Sequence, residues 1–115
     1  MGSRYSHVFS PIRIRGIDFK NRITLAPPSP NLASADGLVT HDFVDWFRMF
    51  ARGGATTLYL GNCSIDLKEN RDQSYQLDLG TDRAILPMTW YADMCRQYGC
   101  HASLEINHAG EGVAF

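Results

Sequence analysis

Apolar and polar positions along this chain switch between two periods, and each switch marks an element. Ile12-Arg13-Ile14 and Ile17-Asp18-Phe19 flank Arg15-Gly16, which predicts a small hairpin with a two-residue turn. Ile23 to Ala26 reads as the first core strand, ended by Pro27-Pro28 because proline cannot donate into a ladder. Beyond a turn at Asp36-Gly37 the period becomes helical. Phe43, Val44, Phe47, Phe50 and Ala51 form one stripe, with Thr40 as N-cap, over about His41 to Arg52. Gly53-Gly54 stops that helix. Thr56 to Leu60 is rich in strand formers and predicts a second strand reaching Gly61-Asn62. A polar run from Cys63 to Thr81 follows, long for a strand-to-helix connection and of the kind that tends to carry function. Asp82 then precedes a second helix with Pro87 in its first turn, continuing to about Tyr98 and closed by Gly99. Ala84, Met88, Tyr91, Ala92 and Cys95 share one side of it, and Ala102 to Asn107 is the third strand.

Alternating strands and helices imply right-handed crossovers and a parallel sheet, so the class is α/β. Interior strands of such a sheet are covered on both faces and read apolar throughout. The third strand departs from this: Ser103, Glu105 and Asn107 share one face, Ala102, Leu104 and Ile106 the other. Polar groups on one face, running into His108-Ala109-Gly110, point to a site at the strand's C-terminal end. Ser29 and Asn62 stand at the ends of the first two strands, which suits the catalytic face of an eight-stranded barrel. An open doubly wound sheet also fits the order of elements, but neither G-x-G-x-x-G nor a P-loop is present.

Composition narrows the function classes. The chain has 115 residues, 44% hydrophobic and 20% charged, with a net charge of −1. Interspersed, nearly balanced charge gives no footprint for nucleic acid or an anionic membrane. No segment approaches the roughly 20 apolar residues of a membrane span, and there is no secretory core at the N-terminus. Met1 to Ser6 formally fits a myristoylation pattern, a cheap match that carries no weight. Cys63, Cys95 and Cys100 are odd in number and lack C-x-x-C spacing, which reads as reduced thiols in a cytoplasmic protein. A metal site on Cys95, Cys100, His101 and His108 would need spacings of five, one and seven, unlike the usual close pairs.

Several separated motifs run along the chain: Phe9-Ser10-Pro11, Gly16, Lys20-Asn21-Arg22-Ile23, Ala26-Pro27-Pro28-Ser29, Asp36-Gly37-Leu38-Val39-Thr40, Ala51-Arg52-Gly53-Gly54-Ala55 and Leu104-Glu105-Ile106-Asn107-His108-Ala109-Gly110. Together they resemble the old yellow enzyme family of flavin-dependent ene-reductases. They stand in the family's order and cover nearly the whole chain. The resemblance implies the N-terminal portion of a TIM (β/α)8 barrel, a hairpin plus about three βα units of one FMN-binding domain. It further implies FMN as cofactor, NADH or NADPH as reductant, and small-molecule substrates with activated C=C bonds, such as enoates, dienoyl-CoA thioesters or steroid-like compounds. A whole barrel takes about 250 residues. The chain is therefore expected to be an N-terminal fragment, inactive alone. The substrate-anion pair, a proton-donating tyrosine, the phosphate-binding loops and any iron–sulfur cluster would lie beyond Phe115. The alternative is a non-catalytic remnant or interaction module whose open strand edges pair with a second polypeptide or with another copy of itself. A metal-dependent hydrolase built on Glu105 and His108 is a distant third reading.

Carried over residue by residue, the resemblance places Ala26, Pro27, Pro28 and Ser29 along the flavin ring system. Ser29 takes the place of a Thr or Cys that hydrogen-bonds flavin O4; the alternative is a serine satisfying its own backbone among prolines. Asn62 would contact the pyrimidine ring or close its loop. Glu105 replaces the family's usual Gln. An ionised carboxyl accepts from N3–H but offers O2 no donor, whereas burial and protonation would restore one. The other reading of Glu105 is an ion pair with an arginine elsewhere. His108 is expected to order its loop, and Arg22 to form an ion pair near the barrel's base. No catalytic residue is assigned.

Overall fold

The computed structural model describes residues 4–112. The first three residues of the myristoylation-like stretch and the last three residues of the chain therefore lie outside the described residues. A one-turn helix, α1 (Ser6–Phe9), precedes the hairpin of β1 (Ile12–Ile14) and β2 (Ile17–Phe19). Arg15 and Gly16 both have positive φ (48° and 85°), as a two-residue turn between twisted strands requires. The main sheet begins with β3 (Thr24–Leu25), shorter than the predicted Ile23 to Ala26, followed by α2 (His41–Arg52) and β4 (Thr57–Ser64). Then come a short β5 (Leu77–Asp78), a 3₁₀ turn at Asp82–Ala84, α3 (Ile85–Gln97) and β6 (His101–Ile106).

The helix limits follow from local chemistry. Thr40 Oγ1 accepts from Phe43 N at 3.1 Å and donates to Leu32 O at 2.7 Å, so one hydroxyl caps α2 and ties down the incoming chain. Gly37, at φ +81°, lets the preceding turn lie against β5, where its carbonyl accepts from Asp78 N at 2.9 Å. A Cβ at Gly37 would stand 2.6 Å from that of Asp78. The Asp-Gly turn is thus a packing contact as well as a reversal.

β3 and β6 both run parallel to β4, one on each edge. Thr24, Thr57 and His101 fall in one row of the sheet, and Leu25, Leu58 and Ala102 in the next. Parallel neighbours in register share a face. Leu25, Leu58, Leu60, Ala102 and Leu104 therefore face the helices, while Thr24, Tyr59, Ser103 and Glu105 face the other way, into what is the lumen of a barrel. The core joins the buried Phe43, Val44, Phe47 and Ala51 of α2 to Tyr91, Met94 and Cys95 of α3 over Leu58 and Leu60. Tyr91 fits there because its hydroxyl donates to the Leu58 carbonyl at 2.8 Å. Met94 was not in the predicted stripe. Met88 and Ala92, which were, are only half-buried and face an open groove of about 660 Å³ with Ile85, Ala102 and Leu104.

The polar run after β4 is more ordered than the sequence indicates. β4 continues through Gly61, Asn62 and Cys63 to Ser64, four residues beyond the predicted end. There Cys63 pairs with Leu77 on one edge and Ile106 on the other, so β5 extends the β3 side of the sheet. At the opposite end the Lys20-Asn21-Arg22 motif fastens the strand entrances. Asn21 Nδ2 donates to Gly54 O at 2.6 Å, and Lys20 Nζ donates to Tyr98 O at 2.8 Å. Arg22 departs from expectation: it is exposed, and no ion pair among the described residues includes it. Its backbone N–H is what counts, donating to Val8 O at 2.9 Å.

Candidate functional site

All three main strands point their C-terminal ends the same way, so the residues that follow them converge. Ala26 and Pro27 after β3, Tyr59 on β4, and Leu104 and Glu105 on β6 line one open groove of about 460 Å³ together with Thr24. Gly61 sets the approach of the first two strands. Its N–H donates to Pro28 O at 3.2 Å, and a Cβ there would lie 2.7 Å from Pro27 Cβ. No other residue type fits between those backbones without a shift.

Ser29 and Asn62 meet beside this groove: Ser29 Oγ donates to Asn62 Oδ1 at 2.9 Å. Gln73 Oε1 lies 2.5 Å from the same hydroxyl, and Asn62 Nδ2 donates to both carboxyl oxygens of Asp72 at 3.2 Å. Ser29 thus bonds to side chains across the site rather than to its own backbone. Asn62 is engaged as a loop-closing amide. The same loop reaches the third strand, where Gln76 Nε2 donates to Asn107 Oδ1 at 3.0 Å and Asn70 Nδ2 to Asn107 O at 2.9 Å. Asn70 and Gln76 are buried, and each is hydrogen-bonded as burial demands. The long polar run is therefore a strap over three strand ends. Its working residues, Asn70, Asp72, Gln73 and Gln76, have no periodicity to betray them; only the length of the connection signalled them.

Burial, the condition weighed for restoring a donor at Glu105, is not met. Glu105 is exposed, and no hydrogen bond or ion pair of its side chain occurs among the described residues. The arginine pairing weighed for it is absent there too. His108 orders its loop, its Nδ1 accepting from Gly110 N at 2.9 Å. The four residues weighed as metal ligands are dispersed. Cys95 is buried in the core, Cys100 Sγ contacts Ala55 O at 3.1 Å, and His101 Nε2 meets Asp18 O at 2.8 Å. No group of three or more such ligands gathers among the described residues.

Beneath the site, burial pushes the Cys63 thiol up to about 12, with the nearby Glu105 charge adding to it, and burial pushes Cys95 up to about 11. Both thiols are thus raised in the folded chain from an ordinary value of 9.0. Their contribution to stability is full below that value. It falls as pH rises through the window up to the folded values, because the unfolded thiols ionise first. The urea midpoint should decline across this alkaline window; a level midpoint would show that the thiols are not shielded.

The groove combines the apolar Ala26, Pro27 and Leu104 with the Thr24 and Tyr59 hydroxyls and one carboxyl, that of Glu105. No protein-family model matches the chain. The NADH oxidase of Thermoanaerobacter brockii is 31% identical over 108 residues, covering 94% of this chain and 17% of that protein. The NADH-dependent flavin oxidoreductase iliE of Hypocrea jecorina is 26% identical, covering 90% of this chain and 27% of that one. Among solved structures, 2-naphthoyl-CoA reductase in complex with 2-naphthoyl-CoA superposes with a TM-score of 0.90 at 21% identity, over 96% of this chain and 17% of that one. The old yellow enzyme from Trypanosoma cruzi gives 0.83 at 18% identity, over 96% and 29%. The chain spans less than a third of the length of each of these proteins. The fold is accordingly part of a TIM barrel, three of its parallel strands and two of its helices.

Proposed function

We propose that this chain, which belongs to the old yellow enzyme group of NADH- and flavin-dependent oxidoreductases, forms one wall of an FMN site. The observation that carries the reading is the convergence of Ala26, Pro27 and Glu105 in one groove, with Ser29 and Asn62 hydrogen-bonded beside it. Ala26, Pro27 and Pro28 would support the ring system, and Glu105 would accept from its N3–H. Ser29 and Asn62 would border its polar end. FMN, reduced by NADH or NADPH, supplies hydride chemistry to an activated C=C bond in a small-molecule substrate of the enoate, enoyl-thioester or steroid-like kind. The chain's own share of that work is to position the ring, keep water from one face and set the polarity at its rim. Buried, unpaired thiols at Cys63, Cys95 and Cys100 support a reducing, cytoplasmic setting.

The test is a chimera in which this chain replaces the matching segment of the T. brockii NADH oxidase. It should purify yellow and lose FMN only on denaturation, whereas a colourless, folded chimera would overturn the reading. The chain by itself should bind FMN weakly, because its contacts are confined to one ring face. Stoichiometric FMN surviving dialysis on the isolated monomer would contradict that expectation.

A second reading, pairing with another polypeptide or another copy of the chain, is favoured by the outer face of β6, where Leu104 and Ile106 are 38% and 60% exposed. Among the described residues β3 and β6 each pair only with β4, which leaves two free edges. Light scattering on the purified chain should give a mass that rises with concentration. A concentration-independent monomer with a sharp melt would dismiss it.

A further inference from the structure

We infer that Asn107 is a further binding residue of this site, its side-chain NH₂ held out as a hydrogen-bond donor, with Gln76 as the residue that positions it. The assignment rests on the flavin reading above, and the acceptor is an oxygen of the bound flavin. Polarity is set here by a group that cannot reverse. The backbone N–H of Asp72 donates to Gln76 Oε1 at 2.9 Å. A peptide N–H only donates, so the Gln76 amide must turn its oxygen toward Asp72 and its NH₂ the other way. That NH₂ donates to Asn107 Oδ1 at 3.0 Å. Asn107 therefore gives its oxygen to the strap and keeps both Nδ2 hydrogens. Among the described residues no acceptor takes either of them. An unrestrained asparagine offers either end of its amide to a ligand; this one offers only N–H.

The backbone of Asn107 is clamped as well. Asn70 Nδ2 donates to Asn107 O at 2.9 Å, and Ala109 N donates to Asn70 Oδ1 at 3.1 Å, so peptide groups again decide which way the amide lies. Asn70 and Gln76 are 1% and 2% exposed, which leaves water no place as an alternative partner. Asn107 N donates to Cys63 O at 3.0 Å and carries the β6 ladder one residue past Ile106. Alternation then puts the Asn107 side chain on the face of Glu105, about 7 Å further along the strand. Glu105 lines the groove. A carboxyl acceptor followed by an amide donor complements an N–H next to a carbonyl oxygen, the pattern at the flavin's pyrimidine edge.

Two substitutions separate a ligand donor from a contact that merely holds the strap. Asn107→Asp keeps an oxygen for Gln76 and loses the NH₂, whereas Asn107→Ala loses both. In the chimera, both should weaken FMN binding by about three- to tenfold, the worth of one hydrogen bond. Weakening in Asn107→Ala alone would reduce Asn107 to a strap contact, and weakening in Asn107→Asp alone would leave only a charge effect; either overturns the inference. A second readout is side-chain amide exchange, followed by NMR on the full chain labelled with ¹⁵N at asparagine and glutamine. Without flavin, the Gln76 NH₂ should be protected from solvent exchange and the Asn107 NH₂ should not. FMN bound to the chimera should then protect Asn107. Protection of Asn107 in the flavin-free chain would mean that its hydrogens are already taken, and the assignment falls. A chimera that holds no FMN sinks the flavin reading and the role of Asn107 with it. A yellow chimera whose two variants bind FMN as tightly as the wild type sinks only the role of Asn107.

Discussion

Phe47→Ala is expected to cost about 3–5 kcal/mol and to leave much of the chain unfolded without added stabilisation. Phe47 is fully buried, and its ring joins the two helices. The centroids of Phe43, Trp46 and Tyr91 lie 5.0, 5.1 and 5.4 Å away, the last two nearly edge-on. Truncation removes the Phe47–Tyr91 contact between α2 and α3 and opens a cavity that the surrounding backbone cannot close. Small domains hold only about 5–15 kcal/mol in total. This one leaves an apolar groove along α3 and β6 open to solvent, which places it toward the low end of that range. Met49 on the same helix is 58% exposed, and Met49→Ala should change stability by no more than about 0.5 kcal/mol. Urea unfolding followed by circular dichroism distinguishes the two variants. A wild-type midpoint for Phe47→Ala would mean that the helices are held by something other than this aromatic contact.

The contrast between the helices and the strap explains what the sequence could reveal. The limits of α2 were legible because three independent signals agree: a capping hydroxyl, an apolar stripe and a Gly-Gly stop. The third strand's two faces were legible because a period of two needs no tertiary information. β4 was read too short, since Gly61-Asn62-Cys63-Ser64 has the composition of a loop; those residues remain in the sheet because Leu77 and Ile106 pair with Cys63 from both sides. That pairing depends on a connection folding back, which no local pattern encodes. The same holds for Asp72 and Gln73. Ser29 was singled out by its place in a motif, but the shorter of its two side-chain contacts is with Gln73, 44 positions further on. Burial of Glu105 was one condition weighed among others, and a period of two does not say whether the lumen side of a strand is covered. The exposure of Glu105 follows from β6 having one strand neighbour among the described residues.

The residue that departs from the pattern the chain resembles gives the second large effect. In the FMN-loaded chimera, Glu105→Gln should raise the flavin midpoint potential by on the order of 40 mV, equivalent to about 2 kcal/mol for a two-electron couple. Two changes act in the same direction. Glutamine supplies an N–H to the ring carbonyl beside N3, and it removes a negative group from the place where charge accumulates on reduction. Glu105 sits on the lumen-facing side of β6 in the groove shared with Ala26 and Pro27, and no other described group satisfies its carboxyl. The substitution therefore breaks no existing bond, and the fold should be indifferent to it. Potentiometric titration of both variants reads the size of the gap. If the two potentials coincide, Glu105 does not face the flavin, and the lumen side of β6 must serve something else.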